Sequence, residues 1–409
     1  MHLLTFQGSP DSRDAVSLFS GAMGLDIGLG DAGLNVRIGQ DSDESCTDTM
    51  RANRHEALKG DIRGISPDTV LGKAGLARGE PFLVCGGPPC QPFSTAGRRL
   101  GILDPRGSLF MEFIRMVDYI RPRFFLMENV KGLMSSTAPR RAGTRGIGRQ
   151  VPHDPLRVKP SAGSAGEAGA VNEAALDVVL SEFSRLGYST IHGVLDAVDY
   201  GVPQFRERFM LLGSRDHERI FLPVPTHFQT HQDGDYRWRT LRYAIRDMED
   251  DPGEHAEFSM ERLSLLKLVP AGGNWRDLPT TLVKRAMGGA FESGGGKVGF
   301  YRRLDYDQPS PTLVTSPVQK ASMLCHPTRN RPLSVREYAR IQQFPDGWSF
   351  CGNMASRYRQ IGNAVPIGLA SAVGKAIIAA ADGKATVKTK RMRGTDVHRG
   401  VMNGGGAPL

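Results

Sequence analysis

Short β-favouring runs alternate with amphipathic stretches over the first half of the sequence, and this alternation constrains the fold more than any other feature. The runs "AVSLF", "NVRIGQD", "PFLVCGG" and "RFFLMENV" are largely apolar or β-branched and end in glycine or a polar residue. Between the last two lies "SLFMEFIRMVDYI", whose apolar residues recur at helical spacing. Strands that alternate with helices form parallel sheets with helices on both faces. The sequence therefore predicts an α/β fold with a Rossmann-like, mostly parallel sheet.

Unusual residues lie where the predicted strands end. Gly21 and Gly24 follow the first strand, Asp41 ends the second, Cys90 follows "FLVCGG", and Glu128 comes near the end of "RFFLMENV". In open parallel sheets, ligands bind beyond the carboxyl ends of the strands. We therefore expect a single functional site at this edge of the sheet.

Cys90 is the strongest candidate for a catalytic nucleophile. It follows the Gly-Gly-Pro-Pro segment at 86–89, in which the glycines end the strand and the prolines stiffen the chain before the thiol. A cysteine beside a strand is more often an inert core residue, and Cys85 fits that description. A core thiol needs no such rigid frame, so the pattern favours an exposed thiolate nucleophile at Cys90.

Charged side chains near the same edge suit proton transfer and anion recognition. Glu128 follows an apolar run, so burial should raise its pKa and suit it to hold a proton, although an exposed acid capping the next helix would also fit. The segment "QFRERF" places Gln204, Arg206 and Arg208 at alternating positions, which in a strand project to one face. Guanidinium groups arranged in this way suit carbonyl or phosphate recognition, but a solvated strand face with salt bridges would show the same pattern.

The glycine turn "LFSGAMG" after the first strand can hold a nucleotide-like cofactor. The dinucleotide pattern GxGxxG is absent, and so is a P-loop. Asp41 can accept hydrogen bonds from both hydroxyls of a ribose, and Asp61 in "KGDIRG" can meet an adenine amino group. These features predict a cofactor that contains ribose and adenine but no phosphate.

The excess positive charge is confined to two segments. The chain has a net charge of +9, of which residues 131–170 carry +5 and residues 381–409 carry +4. Both segments are rich in small residues and lack periodicity, so we expect a flexible basic insertion at 135–170 and a flexible tail at 383–409. Such segments contact phosphate without reading sequence, or they serve as solvated spacers.

Composition also predicts the domain organisation and the compartment. Alternation of strands and helices stops near residue 215, so we expect one domain from 12–214 and 350–382 and a smaller, irregular one from 215–349 with the helix that follows it. The five cysteines lack metal-ligand spacing, which predicts no metal site and a reducing compartment. Without an apolar run of ~18 residues or a secretory signal, we expect a cytoplasmic protein that does not enter a membrane.

Taken in order, the motifs resemble those of the DNA (cytosine-5)-methyltransferase family. "LFSGAMGLDIGL" is similar to its S-adenosylmethionine motif, "GDI" to its adenine-contact motif, and "GGPPCQPFS" to its nucleophile motif. "DPRGSLF", "ENV" and "QFRERF" follow, and then "RLDYDQPSPTLVTSP", "LSVREYARIQQFPDGW" and "RQIGNAVP". Met23 stands where the family usually has a glycine, and Asp41 stands where it often has glutamate. PPCQPFS, ENV, QxRxR and QxGNAVP in one order are highly specific to this family.

The resemblance implies methyl transfer from S-adenosylmethionine to carbon-5 of a cytosine that is flipped out of duplex DNA, with 215–349 as the target-recognition domain. Cys90 would add to carbon-6, Glu128 would hold ring nitrogen-3, and Arg208 with Arg206 would bind the base carbonyl, while Asn129 would orient Glu128. Two further sets of residues are implied: for the cofactor Phe19, Ser20, Gly21, Gly24, Asp41, Asp61, Ile62, Pro88, Asn363 and Val365; and for DNA Gln91, Ser94, Arg98 and Gln204. Major-groove readout by basic side chains of the 215–300 region is expected, and the candidates there are Arg237, Arg239, Arg242 and Lys284.

Other functions remain open from the sequence. An RNA cytosine methyltransferase would share the fold, but the Cys-Phe-Thr tripeptide of the transfer-RNA enzymes is absent. A non-catalytic DNA-binding regulator is disfavoured by the intact set of Cys90, Glu128 and Arg208, and an NAD-dependent oxidoreductase by the missing GxGxxG. A methyltransferase of this kind would act in the cytoplasm of a prokaryote or phage-infected cell, on nucleoid DNA, and a cognate restriction endonuclease could accompany it.

Overall fold

The computed structural model describes residues 12–89, 109–130, 175–230, 236–292 and 298–384. Four of the residues predicted from the nucleophile motif, Cys90, Gln91, Ser94 and Arg98, lie outside these ranges, as do the whole of the predicted basic insertion and nearly all of the tail. The described ranges include the strands and helices that carry the other predicted catalytic and cofactor-binding residues.

The described residues of 12–214 and 350–384 are here called the first lobe, and a seven-stranded sheet with strand order β3-β2-β1-β4-β5-β7-β6 forms its centre. Strands β1 to β5 are parallel, and β7 runs antiparallel to both of its neighbours. The predicted α/β fold with a mostly parallel sheet is therefore confirmed. The strands are β1 (Asp14–Leu18), β2 (Asn35–Asp41), β3 (Ala57–Lys59), β4 (Leu83–Gly86), β5 (Phe124–Val130), β6 (Ser189–Asp196) and β7 (Glu207–Ser214).

Helices cover both faces of this sheet. On one face α3, α4 and α5 bury a core that includes Phe113, Phe125 and Phe183, and on the other α1 and α11 bury Leu29, Leu126 and Val373. The helices are α1 (Gly24–Ala32), α2 (Glu44–Ala52), α3 (Pro67–Ala74), α4 (Leu109–Ile120), α5 (Ala175–Arg185), α6 (Leu241–Ile245), α7 (Met260–Leu266), α8 (Thr280–Met287), α9 (Val335–Ile341), α10 (Met354–Asn363) and α11 (Ile367–Ala381).

The contact between α1 and α11 sets one wall of the site. A Cβ atom at Gly24 would lie 2.4 Å from the Val365 carbonyl oxygen, and one at Gly28 would lie 2.4 Å from that of Ile367. Both distances are far inside van der Waals contact, so only glycine permits this approach. The close packing brings the turn after β1 against the chain between α10 and α11.

Residues 215–349 are here called the second lobe, and its described residues form short helices, loops and a two-stranded parallel sheet of β8 (His227–Phe228) and β9 (Tyr236–Arg237). One of its cores includes Leu266, Met287 and Met323. Another joins α6 and α9 to α10 and to Ala22 of the first lobe. This shared core lies across the predicted boundary at 349–350, and it holds the second lobe over the carboxyl ends of the strands.

The α10–α11 segment, Met354–Ala381, is long and apolar enough to span a membrane, and among the described helices it alone meets that test. More than half of its most apolar window is buried inside the protein. Val373 and Ile377 pack in the core with α1 and the sheet. These contacts identify the segment as core helix.

Candidate functional site

A cavity of about 880 Å³ opens at the carboxyl ends of β1, β2, β4 and β5, beneath the second lobe. The sheet brings strand ends together here although they are far apart in the chain. Every described residue that the sequence predicts for catalysis or cofactor binding lines this cavity: Phe19, Ser20, Gly21, Gly24, Asp41, Asp61, Ile62, Pro88, Glu128, Asn129, Arg206, Arg208, Asn363 and Val365.

The turn between β1 and α1 has an unusual backbone. Phe19, Gly21 and Met23 have φ values of 56°, 55° and 68°, in the left-handed region that favours glycine. Met23 adopts this conformation with a side chain that is 1% exposed and packed on Cys46 and Met50. Met23 therefore adopts the left-handed backbone conformation that a glycine would adopt in this turn, and its buried side chain packs against Cys46 and Met50.

Asp41 is fixed by the backbone on both sides. One carboxylate oxygen accepts a hydrogen bond from the Gly21 N–H at 2.9 Å, and the other accepts one from the Asp43 N–H at 2.8 Å. Burial raises the pKa of Asp41, and these two hydrogen bonds oppose that effect. Since a carboxylate offers about four acceptor positions, Asp41 can still accept from two hydroxyl groups.

Asp61 differs from Asp41 in being exposed. Its carboxylate accepts the backbone N–H of Arg63 at 3.0 Å and is bound by the Arg63 guanidinium. These hydrogen bonds lower the pKa of Asp61 to about 2. The carboxylate is thus a constant negative group at the rim of the cavity.

Glu128 and Arg208 form an ion pair on the opposite side of the cavity. The Arg208 Nε atom lies 2.8 Å from Glu128 Oε1, and each side chain is only 11% exposed. Antiparallel pairing of β5 with β7 places the two residues on neighbouring strands. Burial raises the pKa of Glu128, although the positive charges of Arg208 and Arg206 oppose this. Burial also lowers the pKa of Arg208.

The chain leading to Cys90 lies directly against Glu128. A Cβ atom at Gly87 would lie 2.7 Å from Glu128 Oε2, so a side chain there would displace the carboxylate. The Asn129 Nδ2 atom donates to the Pro88 carbonyl at 2.8 Å. The structure thus shows that Asn129 contacts the segment leading to Cys90. Its role in orienting Glu128 stays a prediction.

Arg206 is a buried connector between three parts of the chain. It is 2% exposed, and its two terminal nitrogens donate to the carbonyls of Leu313 and Gly362. Through these two bonds Arg206 connects β7 to the second lobe and to α10. Its side chain also lines the cavity, so the binding of a base carbonyl by Arg206 together with Arg208 stays a prediction.

A DNA contact at Gln204 is contradicted by the structure. The side chain is fully buried, its Nε2 donates to Gln342 Oε1 at 3.1 Å, and its Oε1 accepts from the Leu313 N–H at 2.8 Å. β7 begins only at Glu207, so Gln204 and Arg206 precede the strand and only Arg208 of the three lies in it. Gln204 instead joins the two lobes.

Several cavity residues were missed in the sequence. The Arg359 guanidinium binds the Asp43 carboxylate at 2.8 Å and so links α10 to the end of β2. Thr312 and Gln319 of the second lobe also line the cavity. Asp43 is the N-cap of α2, and an aspartate at that position is a recognisable helix-start signal in the sequence. Its pairing with Arg359, 316 positions away, cannot be read from the sequence.

The four candidates for base readout differ in their surroundings. The Arg242 guanidinium is engaged by Asp307 at 2.8 Å, and that of Arg239 lies 4.5 Å from the centre of the Tyr243 ring. Arg237 and Lys284 are exposed on the second lobe. Their contacts with a target sequence stay a prediction.

Together, the sheet and the cavity define an α/β enzyme of the methyltransferase type. The chain belongs to the family of C-5 cytosine-specific DNA methylases, whose model matches residues 14–142 and 168–379. It is 37% identical to the Type II methyltransferase M.PspPI of a Psychrobacter species, over 90% of this chain and 79% of that protein. It is also 36% identical to the Type II methyltransferase M.Eco47II of Escherichia coli, over 89% of this chain and 78% of the relative.

Solved structures support the fold. A protein described as a prophage-encoded DNA modification methyltransferase (E. coli) matches with a TM-score of 0.61 at 21% identity, covering 91% of this chain and all of that one. A mutant of Spodoptera frugiperda DNMT2 matches with a TM-score of 0.54 at 19% identity, covering 90% of this chain and all of that one. At these identities the likeness shows the architecture alone.

S-adenosylmethionine is the methyl donor of this family, and the cavity fits it. A Cβ atom at Gly21 would meet nothing within 4 Å, so there is open space above the turn. The acceptors of Asp41 and the exposed Asp61 and Asn363 face the same cavity. None of the described residues forms a cluster of three or more potential metal ligands.

Proposed function

We propose that this protein methylates carbon-5 of cytosine within a specific sequence of duplex DNA, with Cys90 as nucleophile. The buried Glu128–Arg208 pair carries the proposal. It lies against the segment that leads into Cys90 and in the same cavity as the glycine turn and Asp41. A polar ring and a ribose-containing cofactor could therefore meet there.

Each side chain of the site would take one part of the methyl transfer. Cys90 adds as thiolate to carbon-6, forming an S–C bond and placing the electron pair of the 5,6 double bond on carbon-5. Glu128 holds a proton at ring nitrogen-3, and Arg208 donates to the base carbonyl, so negative charge does not build up on the ring. S-adenosylmethionine supplies the methyl group that carbon-5 accepts. The carbon-5 proton then passes to water, the double bond re-forms and the Cys90 thiolate leaves.

The position of Glu128 suits this role because burial favours its protonated form. The nearby Arg208 and Arg206 keep the carboxyl from being permanently neutral, since they stabilise the carboxylate. A carboxyl with its pKa raised by burial and offset by a neighbouring cation can hold a proton and release it.

The target base has to leave the duplex to reach this cavity, because Glu128 and Arg208 are mostly buried. We assign the closing of the site to the segment after Cys90, with Gln91, Ser94 and Arg98 contacting DNA. Arg237 and Lys284 of the second lobe would read or position the duplex. The relatives are Type II methyltransferases, and this supports DNA as the substrate. It also supports a cognate endonuclease as partner and nucleoid DNA as the place where the protein acts.

Bisulfite sequencing of plasmid DNA from cells that make the protein tests this proposal. We expect cytosines protected at one short motif, and no protection with Cys90→Ala. Cys351→Ala is the matched control, because this half-buried thiol is not among the cavity-lining residues.

A second assay separates the nucleophile from the substrate. After methyl transfer, 5-fluorocytosine in the methylated motif has no carbon-5 proton to lose, so in the presence of S-adenosylmethionine the wild-type protein should form a denaturant-resistant complex with this DNA. Cys90→Ala should form none. Absence of protection, together with methyl transfer to RNA, would contradict the proposed substrate.

A further inference from the structure

One segment of the second lobe forms part of the cavity wall. Among the described residues, those that it contributes are Thr312, Leu313, Val314, Thr315 and Gln319. Two of the five, Thr312 and Gln319, have exposed side chains. The Thr312 hydroxyl donates to the Phe205 carbonyl at 2.7 Å and so serves the contact between the lobes. Gln319 is the exposed polar side chain that takes no part in this contact or in the proposed methyl transfer.

The beginning of this segment is fixed beside the Glu128–Arg208 pair. The Leu313 carbonyl accepts from Arg206 at 2.9 Å, and the Leu313 N–H donates to Gln204 at 2.8 Å. Both partners lie in the short stretch that leads into β7, the strand that carries Arg208. The wall formed by the second lobe is therefore held in a defined position relative to the base half of the cavity.

The turn that carries Gln319 is also held firmly. The Arg262 Nη1 atom donates to the Val318 carbonyl at 2.8 Å. On the other side of the turn, a Cβ atom at Gly299 would overlap the Ala321 carbonyl oxygen, so the two stretches of backbone are in close contact. A side chain on a backbone that is fixed in this way is suited to recognition, because little ordering remains to be done when a ligand binds.

The amide of Gln319 keeps hydrogen-bonding capacity for a ligand. Its Oε1 accepts from the Ser322 hydroxyl at 3.1 Å, and its Nε2 lies 3.5 Å from the Thr315 hydroxyl oxygen, at the outer limit of a hydrogen bond. An amide has two N–H donors and an oxygen with two lone pairs, so it can both donate and accept outward. An uncharged group of this kind suits a base edge, whereas the adjacent exposed Lys320 suits a phosphate.

We propose that Gln319 is a specificity-determining residue that reads the base pair next to the target cytosine. The inference rests on the proposed function, in which the cytosine enters the cavity beneath the second lobe. The neighbouring base pairs stay stacked in the duplex at the cavity mouth, where Gln319 is exposed. Its amide matches a base edge with an acceptor beside a donor, and a glutamine that makes both bonds discriminates against the wrong base by about tenfold or more.

The test compares kcat/KM for methylation of short duplexes. One duplex carries the motif protected in bisulfite sequencing, and in the others each base pair of that motif except the target is replaced in turn. For Gln319→Ala we expect discrimination at one of the two pairs beside the target cytosine to fall by about tenfold. Discrimination at the other positions of the motif should stay at the wild-type level, because other side chains read them.

Two control variants separate readout from support of the turn. Gln308→Ala removes an exposed glutamine of the same lobe that is not among the cavity-lining residues, and it should discriminate as wild type does. Ser322→Ala removes the hydroxyl that bonds to Gln319 but keeps the amide. It should therefore keep most of the discrimination, and a loss equal to that of Gln319→Ala would overturn the proposal in favour of a structural role.

Gln319→Glu provides a second measurement if Gln319→Ala does not fold. It keeps the length of the side chain but replaces the donor by an acceptor, so the preference at the same pair should shift towards a base that presents a donor. Unchanged discrimination at both adjacent pairs, with wild-type protein methylating the motif, would overturn this inference alone. If the wild-type protein methylated no DNA, the proposed function would fail and this inference with it.

Discussion

The two halves of the cavity are built on different principles. The cofactor half, comprising the 18–24 turn, Asp41, Asp61 and the 363–365 segment, is shaped by left-handed backbone, a glycine contact and hydrogen bonds from backbone N–H groups. The base half, comprising Gly87, Pro88, Glu128, Asn129, Arg206 and Arg208, is built from charged side chains that are almost completely buried. One half is defined mainly by shape and the other by charge.

Because of this difference, we expect the two halves of the cavity to tolerate opposite kinds of amino-acid substitution. The cofactor half should accept changes of exposed charge but not the addition of a single carbon atom beside its turn. The base half should lose most of its function when one charge is removed without any change in shape. The division is testable because each half offers substitutions of both kinds.

Glu128→Gln should have the largest effect, since it removes the proton-holding group while keeping its shape. We expect kcat to fall by about 10²- to 10⁴-fold, the range for loss of a general acid or base. Affinity for S-adenosylmethionine should stay at the wild-type level, because Glu128 belongs to the base half. Single-turnover methylation and calorimetric titration measure the two quantities.

Asp118→Asn, an exposed position on α4, is the control for Glu128→Gln and should methylate at the wild-type rate. A kcat for Glu128→Gln within a few-fold of wild type would show that the base half does not depend on this charge. The contrast between the two halves would then be lost.

Gly87→Ala tests whether shape also matters in the base half. The new Cβ atom would lie 2.7 Å from Glu128 Oε2 and should push the carboxylate away from Arg208. A displacement of this kind costs about 10²-fold in rate. Stopped-flow methylation should show a lower kcat, with donor affinity unchanged.

Gly72→Ala is the matched control for Gly87→Ala, because a Cβ atom at this position on α3 would meet nothing within 4 Å. It should retain wild-type activity. If Gly87→Ala retained full activity too, the Glu128 carboxylate could occupy a second productive position.

Gly24→Ala applies the same question to the cofactor half. Its Cβ atom would lie 2.4 Å from the Val365 carbonyl oxygen and 3.0 Å from the Ala364 Cβ, and neither is a flexible side-chain end. We expect a loss of about 1–3 kcal/mol in the free energy of unfolding, as for other overpacked contacts, together with weaker donor binding. Chemical denaturation and titration measure both.

Gly30→Ala is the control on the same helix, since a Cβ atom there would meet nothing within 4 Å. It should be at least as stable as wild type, because alanine favours helix more than glycine does. An equal effect of the two substitutions would mean that helix propensity, rather than the α1–α11 contact, determines the outcome.

Many of the residues in both halves of the cavity could be predicted from the sequence, because local sequence patterns mark them. Alternating strands and helices predicted the sheet, and the residues at strand ends predicted the cavity with Asp41 and Glu128 in it. The pattern "QFRERF" was less informative. Gln204 and Arg206 are buried because Leu313 and Gly362, more than 100 positions away, supply their partners.

Other features depend on contacts that no local pattern contains. β3 has only three residues and carries no strand signal of its own. The antiparallel direction of β7 follows from its connection to β6 rather than from its composition. Asp26 reads as an ordinary polar position in a helix, and only the packing of α1 on the sheet shows that its carboxylate is buried.

Arg359→Gln should have the smallest effect and tests the claim that exposed charge matters little in the cofactor half. The Arg359–Asp43 pair links α10 to the end of β2, but its side chains are 47% and 35% exposed. Exposed pairs contribute little and are screened by salt, so donor binding should weaken by about two- to fourfold at low ionic strength and by less at about 0.5 M salt. Arg357→Gln, which pairs with Glu254 instead, is the control and should bind as wild type does. A loss that is larger than this range and independent of salt would indicate that Arg359 contacts the cofactor directly, and the cofactor half would then also depend on charge.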